Sequence, residues 1–585
     1  MARWFIRGAS GSLSEIAQNA KVSPLIARLL LNRGVDNKEK AEMFLYGGMG
    51  QLRDPFIMKD MKKGAGIIRD AIIEKKRIVI YGDYDADGVT STAILKKALE
   101  RLGANVSCWI PHREEEGYGM NPERVRILRD EGAEVILTCD NGISAFDEIG
   151  LARSLGMQVV VTDHHDIPSG EQDGMLLPPA DAIINPHRRD EDYPFSGFSG
   201  AGIAYKFSGA LFTLMGASFD IGDELLELAA IGTICDVVDL SDENRIIARE
   251  GLNILNRTRN KGLQALIKAS DLEGKTIGAY HIGFIIGPCI NATGRLESAR
   301  LALELLTTES MSRAFELAVN LVELNTRRQE LTTEALESVL RKIGEEGHEG
   351  SRVIVVYDRS VHESIAGIVA GRVKEMFSRP VIVLTGGKEN PKGSGRSIEE
   401  FNMIEAIREC DDILLKYGGH PMACGLSIEE RNIEDFRQRL NRTCSLKPED
   451  LVPKISIDVP LRFDTVTMKD IADISALEPY GKGNPSPVFG DKGVEVVSSR
   501  FIGREKNHVK LSLRRGNSIT DGIWFNGTER YLSMVNDGKG TSYTADDTIR
   551  DVFLDLVYYP DINEYNGNRN IQLNVKDARV SGRNG

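Results

Sequence analysis

Three short β-branched runs in this chain each end in acid or imidazole. Arg77-Ile78-Val79-Ile80-Tyr81 leads into Gly82-Asp83-Tyr84-Asp85-Ala86-Asp87-Gly88, Glu134 to Thr138 into Cys139-Asp140-Asn141-Gly142, and Gln158 to Thr162 into Asp163-His164-His165-Asp166. As strands of one parallel sheet, their C-terminal ends would open on a single crevice, where residues about 60 apart in sequence become neighbours. Carboxylates packed together repel unless a cation lies among them, and Asp with His is a donor set for Mn2+ or Mg2+. The pattern predicts a metal centre, with two ions, because paired divalent ions activate water and neutralise the charge of a phosphoryl-transfer transition state. The expected reaction class is hydrolysis of a phosphoester or phosphoanhydride. Taken singly, Asp83, Asp85 or Asp140 reads as a helix cap or turn residue, and His164-His165 as a surface turn. Their joint occurrence at consecutive strand ends is what favours metal. Asp87 and Asp166 read as caps or as supports to the ligands.

The elements that must position these residues follow from the apolar pattern. Continuous apolar strands at 77–81, 134–138, 158–162 and 181–184 alternate with helical stretches, which predicts a doubly wound, mostly parallel α/β sheet. Residues 1–50 carry helical spacing (Leu13, Ile16, Ala17, then Leu25, Ile26, Leu29, Leu30), with Ser14 and Ser23 as candidate N-caps. Helical spacing also fills 200–305, and 309–347 reads as one long connector helix, roughly 58 Å if unbroken. A second α/β unit begins at Arg352 and ends near Cys444. After Lys447–Pro453, five or six strands separated by turns predict a small OB-like β-barrel. The expected domains are therefore 1–50 (helical), 51–305 (catalytic α/β with a helical extension), 306–348 (connector), 349–446 (second α/β) and 453–582 (barrel).

With 585 residues the chain is long enough for several domains, and 41% hydrophobic against 27% charged residues is an ordinary globular balance. Seven cysteines fall without a C-x-x-C pair, which argues against a disulfide framework and a structural zinc site. No apolar run reaches the ~18 residues of a membrane span and the amino terminus lacks a signal-peptide pattern, so the expected location is the cytoplasm. A net charge of −13 means that any polyanion must be held by local basic patches and metal ions.

The stretch Gly82 to Ser91 together with Asp163-His164-His165 resembles the DHH phosphoesterase superfamily. Gly418-Gly419-His420-Pro421-Met422-Ala423-Cys424-Gly425 resembles the glycine-rich motif of the DHHA1 domain that accompanies it. The likeness extends through Ile110-Pro111-His112-Arg113, Glu116-Gly117-Tyr118-Gly119, Tyr193-Pro194-Phe195, Gly200-Ala201-Gly202 and Ile290 to Arg295. Nearly the whole chain resembles the superfamily's bacterial exonucleases that degrade single-stranded DNA from the 5′ end in repair and recombination. The resemblance implies Asp83, Asp85, Asp140, His164 and Asp236 as metal ligands, with His165 beside the scissile phosphate. Periodicity alone would make Asp236 a helix-end residue. Some relatives place a His two residues before the first Asp; here Tyr81 stands in its place, which leaves one metal short of a ligand.

For substrate contacts, Gly418, Gly419 and His420 read as a glycine-rich anion cradle, against the plain alternative of a loop histidine. Lys392-Gly393-Ser394-Gly395-Arg396 has the same character, and Arg396 can fork onto a phosphate. By resemblance, Arg295, Ser394 and Arg396 hold the 5′-phosphate with help from Arg113; Cys289 departs from the family's arginine there. In the barrel, Arg500, Arg504, Lys506, Lys510, Arg514 and Arg515 could track a phosphate backbone, and Phe501, Trp524, Phe525 or Tyr565 could stack bases. The competing reading is a solvated charged edge strand. Single-stranded DNA is the expected partner of a monomer, with a helicase and a single-strand-binding protein as further candidates. The rival functions are another DHH enzyme (pyrophosphatase or oligonucleotide phosphodiesterase) and a non-enzymatic replication scaffold.

Overall fold

The computed structural model describes residues 2–8, 10–113, 115–117, 119–168, 174–387, 389–565 and 568–582, so Tyr118 and the Tyr565 side chain lie outside the described residues. The chain forms two compact units, one of Arg53–Val238 with Glu250–Pro453, the other of Arg3–Leu52, Asp239–Arg249 and Lys454–Gly585. Strand β1 (Arg3–Ile6) belongs to the second of these.

The first unit opens on a five-stranded, all-parallel sheet of β2 (Arg77–Tyr81), β3 (Asn105–Trp109), β4 (Val135–Cys139), β5 (Gln158–Thr162) and β6 (Ala182–Ile184), in the order β3-β2-β4-β5-β6. The strands β2, β4 and β5 are almost wholly buried, which is why their runs are continuously apolar. The edge strand β3 mixes Asn, Ser and Cys with Val and Trp and is only half buried, so it carries no apolar run for the sequence to display. Helix α1 (Ala86–Arg101) follows β2, and α2 (Gly200–Leu214) and α3 (Gly222–Cys235) pack against it. Helix α4 (Gly287–Leu296) continues directly from a π-helical turn, Ile282–Ile286. The connector is α5 (Met311–Glu345), 35 residues and roughly 52 Å without a break. Its first half buries Ala314, Leu317, Ala318 and Leu321; its second half buries Val339 and Ile343 in the core of the next sheet.

That second sheet has the order β10-β11-β9-β8-β7, from β7 (Ile354–Tyr357), β8 (Val381–Thr385), β9 (Lys392–Arg396), β10 (Leu414–His420) and β11 (Ala423–Ile428). Only β7 and β8 are parallel. Alternate residues feed two cores, Ile354, Val356, Val381 and Val383 on one face and Val355, Ile382 and Leu384 on the other.

In the second unit β1 pairs in parallel with β12 (Lys454–Ile457). A short β13 (Val459–Pro460) leads into β14 (Phe489–Ile502), β15 (His508–Arg515), β16 (Ser518–Trp524), β17 (Val552–Tyr565) and β18 (Asn568–Val580). Strand β14 pairs with both β15 and β17, which closes a five-stranded barrel. The amino-terminal helices complete its core: Ile16, Ile26, Leu29 and Leu30 share one apolar cluster with Val494, Val496, Leu511, Leu554 and Leu573. The helix at Leu13–Asn19 is capped by Ser12, not Ser14, because the hydroxyl that accepts from the third helical amide is that of Ser12; Ser23 caps Pro24–Leu31 as expected. Buried Arg245, from the 239–249 segment, donates to the carbonyls of Phe44 and Glu478 and stacks on Phe44, tying that segment into the same unit. Among the described residues no helix is long and apolar enough to cross a membrane.

Candidate metal centre and substrate contacts

The sheet delivers the acid-rich strand ends to one place. One donor atom from each residue comes within 4.8 Å of its partners in three overlapping groups: Asp83, Asp85 and Asp140; Asp140, His164 and His165; and Asp87, His164 and Asp236. His164 Nε2 lies 3.0 Å from an Asp140 oxygen, 3.7 Å from Asp236 and 3.8 Å from Asp87. Asp236 arrives as the C-cap of α3, so a position that periodicity assigns to a helix end also faces the cluster. Asp85 fulfils both readings: its side chain caps α1 by accepting from the Asp87 and Gly88 amides, and a carboxylate has a second oxygen to offer. Asp140 has a left-handed backbone (φ 60°), a conformation that Asp tolerates and that concentrates at functional sites.

The electrostatics call for a cation. Burial pushes the Asp83 and Asp140 carboxyls well up, reinforced by Asp85 for the first and by Asp87 and Asp85 for the second. Burial and Asp87 raise Asp236 to about 7. Asp83 Oδ1 is buried without a hydrogen-bond partner, and Asp140 Oδ1 and His164 Nε2, buried 3.0 Å apart, are in ion-pair contact with each other but form no hydrogen bond. Orphaned acceptors, mutual repulsion and an Asp/His donor set fit a hard divalent metal, and the cluster can bind Mn2+ or Mg2+. Tyr81, buried, directs its hydroxyl to the Gly119 carbonyl at 3.4 Å, so position 81 brings no donor to the cluster.

Two carboxylates support the ligands: Asp87, expected as a cap or support, and Asp163, which sequence reasoning did not single out although it sits at the same strand ends. Asp163 is buried and holds His165 Nδ1 at 2.8 Å while accepting from the amides of Ile143, His164 and His165. Burial opposes a charge on His165, but the hydrogen bond and the charge of Asp163 prevail and raise it to about 9. Asp87 accepts from the Gly200 and Ala201 amides, anchoring the start of α2.

Beside the acids stands a group of arginines. Arg295, from the end of α4, donates to the Ser364 carbonyl at 2.7 Å and is pushed down to about 10 by burial and then by Arg113 and Arg328. Arg396 is likewise lowered by burial, with Arg113 adding to the fall, and Arg113 lies over the Tyr84 ring at 5.0 Å. Arg113, Ser394 and Tyr84 line one cavity of about 230 Å3. Clustered guanidiniums suit an anion among them.

The glycine-rich stretch on β9 is not an anion cradle of the expected kind. Ser394 and Arg396 lie on β9, a central strand paired on both sides, so its amides serve the ladder and recognition falls to side chains. Glycine at 395 is required by packing, because a Cβ there would collide with Cys424 Sγ. Gly418, Gly419 and His420 form the exposed tip of the β10–β11 hairpin, where His420 Nδ1 stands 3.9 Å from Asp166.

In the barrel, four of the six basic residues are already matched by acids. Lys510 pairs with Asp521 at 2.8 Å, Arg514 with Glu495 at 3.1 Å, Arg515 with Asp491 at 3.5 Å, and Lys506 with Asp546. Arg500 and Arg504 are exposed. Trp524 is buried in the barrel core and cannot stack a base, whereas Phe525 is exposed and Phe501 half-buried.

The parallel sheet, the carboxylate–imidazole cluster and the partner domain define a metal-dependent hydrolase of the DHH phosphoesterase class. Sequence profiles agree: the DHH family N-terminal domain matches residues 77–233, the DHHA1 domain 350–446, and the RecJ OB domain 457–577. The single-stranded-DNA-specific exonuclease RecJ of Bacillus subtilis is 38% identical over 99% of this chain and 71% of that protein. A crystal structure of Thermus thermophilus RecJ with Mn2+ superposes with a TM-score of 0.82 (30% identity, 99% of this chain, 80% of that one), and one with Mg2+ with 0.77 (27%, 99% and 79%). The chain belongs to the RecJ family.

Proposed function

We propose that this chain hydrolyses single-stranded DNA from its 5′ end in DNA repair and recombination. The observation that carries the reading is the arginine group Arg113, Arg295 and Arg396 beside the Asp83–Asp85–Asp140–His164–Asp236 cluster. An anchored terminal phosphate would set polarity, and the next phosphodiester would meet the acids. When bound, divalent ions would lower the pKa of water and screen phosphate charge. Asp83, Asp85, Asp140, His164 and Asp236 would hold them. His165, its Nδ1 engaged by Asp163, would place a proton near the scissile phosphate. Ser394 supplies a hydroxyl to the terminal phosphate, and Gly418–His420 contact the strand from the hairpin tip. Arg500 and Arg504 are the barrel's free-standing contributions to the backbone; Lys506, Lys510, Arg514 and Arg515 would have to exchange carboxylate for phosphate. The protein acts in the cytoplasm as a monomer alongside a helicase and a single-strand-binding protein.

The test uses 5′-labelled and 3′-labelled single strands, duplex, RNA and pyrophosphate with Mn2+ or Mg2+. Single strands shortened from the 5′ end, with Asp140→Ala inactive and folded by circular dichroism, support the reading. Turnover of pyrophosphate alone would support the simpler DHH enzyme, and no metal-dependent turnover would support a scaffold. Activity of Asp140→Ala within tenfold of wild type would sink the metal assignment.

A further inference from the structure

Tyr280 and Phe284 are stacked on one another, ring centroids 5.0 Å apart and planes at 27°, yet they stay 65% and 69% exposed. Phe284 lies in the π-helical turn Ile282–Ile286, whose Ile282 and Ile286 are buried, so the turn is seated in the protein while this pair faces solvent. Large apolar rings left in water mark interaction surfaces, and π-helical turns recur at functional sites.

The turn is built against the metal cluster. Gly287 abuts α3 so closely that a Cβ would collide with Cys235 Sγ, next to Asp236. Asp236 is followed by Val237, 58% exposed and held at φ 59°, a strained conformation for a β-branched residue. Farther along α4, Asn291 accepts from the Ala86 amide beside Asp85, and Arg295 reaches the arginine group. One continuous helical segment therefore passes the proposed phosphate anchor, the acidic loop, Asp236 and then the aromatic pair. From Arg295 back to Phe284 it rises roughly 16 Å. The segment that leads into Tyr280, Lys275-Thr276-Ile277, lines a cleft of about 710 Å3 together with Arg257, Lys268 and Glu273.

We infer that Tyr280 and Phe284 are a stacking platform for the unpaired bases that follow the scissile phosphate in the 3′ direction. This rests on the nuclease reading and adds to it a surface that selects single strands, since a paired base has no face to offer a protein ring. Lys275, Arg257 and Lys268 in the cleft that the preceding residues line outnumber its one acid, Glu273, which suits a nucleic-acid backbone, and rings accept any base.

The experiment measures binding of metal-free, full-length protein to 5′-phosphorylated oligonucleotides carrying one abasic position, moved stepwise from the 5′ end. Wild type should lose about tenfold in affinity when one of the first few bases is missing, the loss of a single stack. Tyr280→Leu/Phe284→Leu should bind the intact strand about as weakly and show a flat profile, while Tyr280→Trp should restore the dip. The strands also carry 2-aminopurine at the sensitive position, whose quenching by wild type reports stacking without any variant. A flat wild-type profile, or a Leu/Leu profile that keeps the dip, would overturn the platform and leave the nuclease reading standing. A wild type that cleaves no single strand would overturn both.

Discussion

Replacing Asp163 with Asn isolates the charge that the structure places behind His165. The Asp163 carboxylate meets Nδ1 at 2.8 Å and raises the imidazole to about 9 against the opposing effect of burial. An imidazole at about 9 is roughly 90% protonated at pH 8, and one returned to the ordinary 6.5 is roughly 3% protonated, a drop of about 30-fold. The His165 side chain is 37% exposed, so solvent screens the pair and about tenfold is the smaller expectation. Asn keeps one oxygen, enough for the His164 and His165 amides that share Oδ1, while the Ile143 amide that Oδ2 accepts loses its acceptor, so circular dichroism checks that the variant keeps its fold. The assay is kcat/KM against pH at saturating Mn2+ on a 5′-phosphorylated single strand. The alkaline limb of Asp163→Asn should move to lower pH by one to two and a half units. An unmoved limb would refute the argument that Asp163 keeps the proton on His165.

Three further outcomes are expected. Arg396→Ala should lower kcat/KM on 5′-phosphorylated strands by more than on 5′-hydroxyl strands, because a forked contact to a dianion is lost; equal losses would assign Arg396 a structural role. Arg500→Glu/Arg504→Glu should shallow the slope of log K against log[salt] by roughly 0.7 for each phosphate contact removed, measured by fluorescent-oligonucleotide titration without metal; an unchanged slope would make this edge merely solvated. Asp236, at about 7, holds in the native metal-free protein a proton that the unfolded chain releases near pH 4, so its ionisation penalises folding progressively from about pH 4 and fully above about 7. His165 has the same sign, its stabilisation complete below about 6.5 and lost through about 9. The Tm of metal-free protein should therefore fall between pH 5 and 8, and Asp236→Asn should flatten part of that fall; an identical profile would contradict it.

A cut after Asp450 is not a clean way to remove the barrel. It would strip β12 from β1 and expose Ile26, Leu29 and Leu30, whose burial depends on barrel residues. The expected result is aggregation, read by light scattering, which is why the salt test uses point variants.

The runs Ile78–Ile80, Val135–Leu137 and Val159–Val161 declare the catalytic sheet by themselves, because strands buried on both faces must be apolar throughout. Acid and imidazole immediately after them are equally legible, since the ends of neighbouring parallel strands converge whatever the details of packing. The folded chain decided the rest. Asp236 is an ordinary helix-end residue until α3 packs on α1 and brings it 3.7 Å from His164. The glycines of 393–395 signal a cradle in sequence, and only pairing on both sides of β9 shows that they are there for close packing. The charge of Lys510 or Arg514 counts towards nucleic acid until the register sets Asp521 and Glu495 beside them. The strand Arg3–Ile6 and the helices after it contain nothing that names a partner 450 residues away, because an apolar face states that it must be covered and not by what.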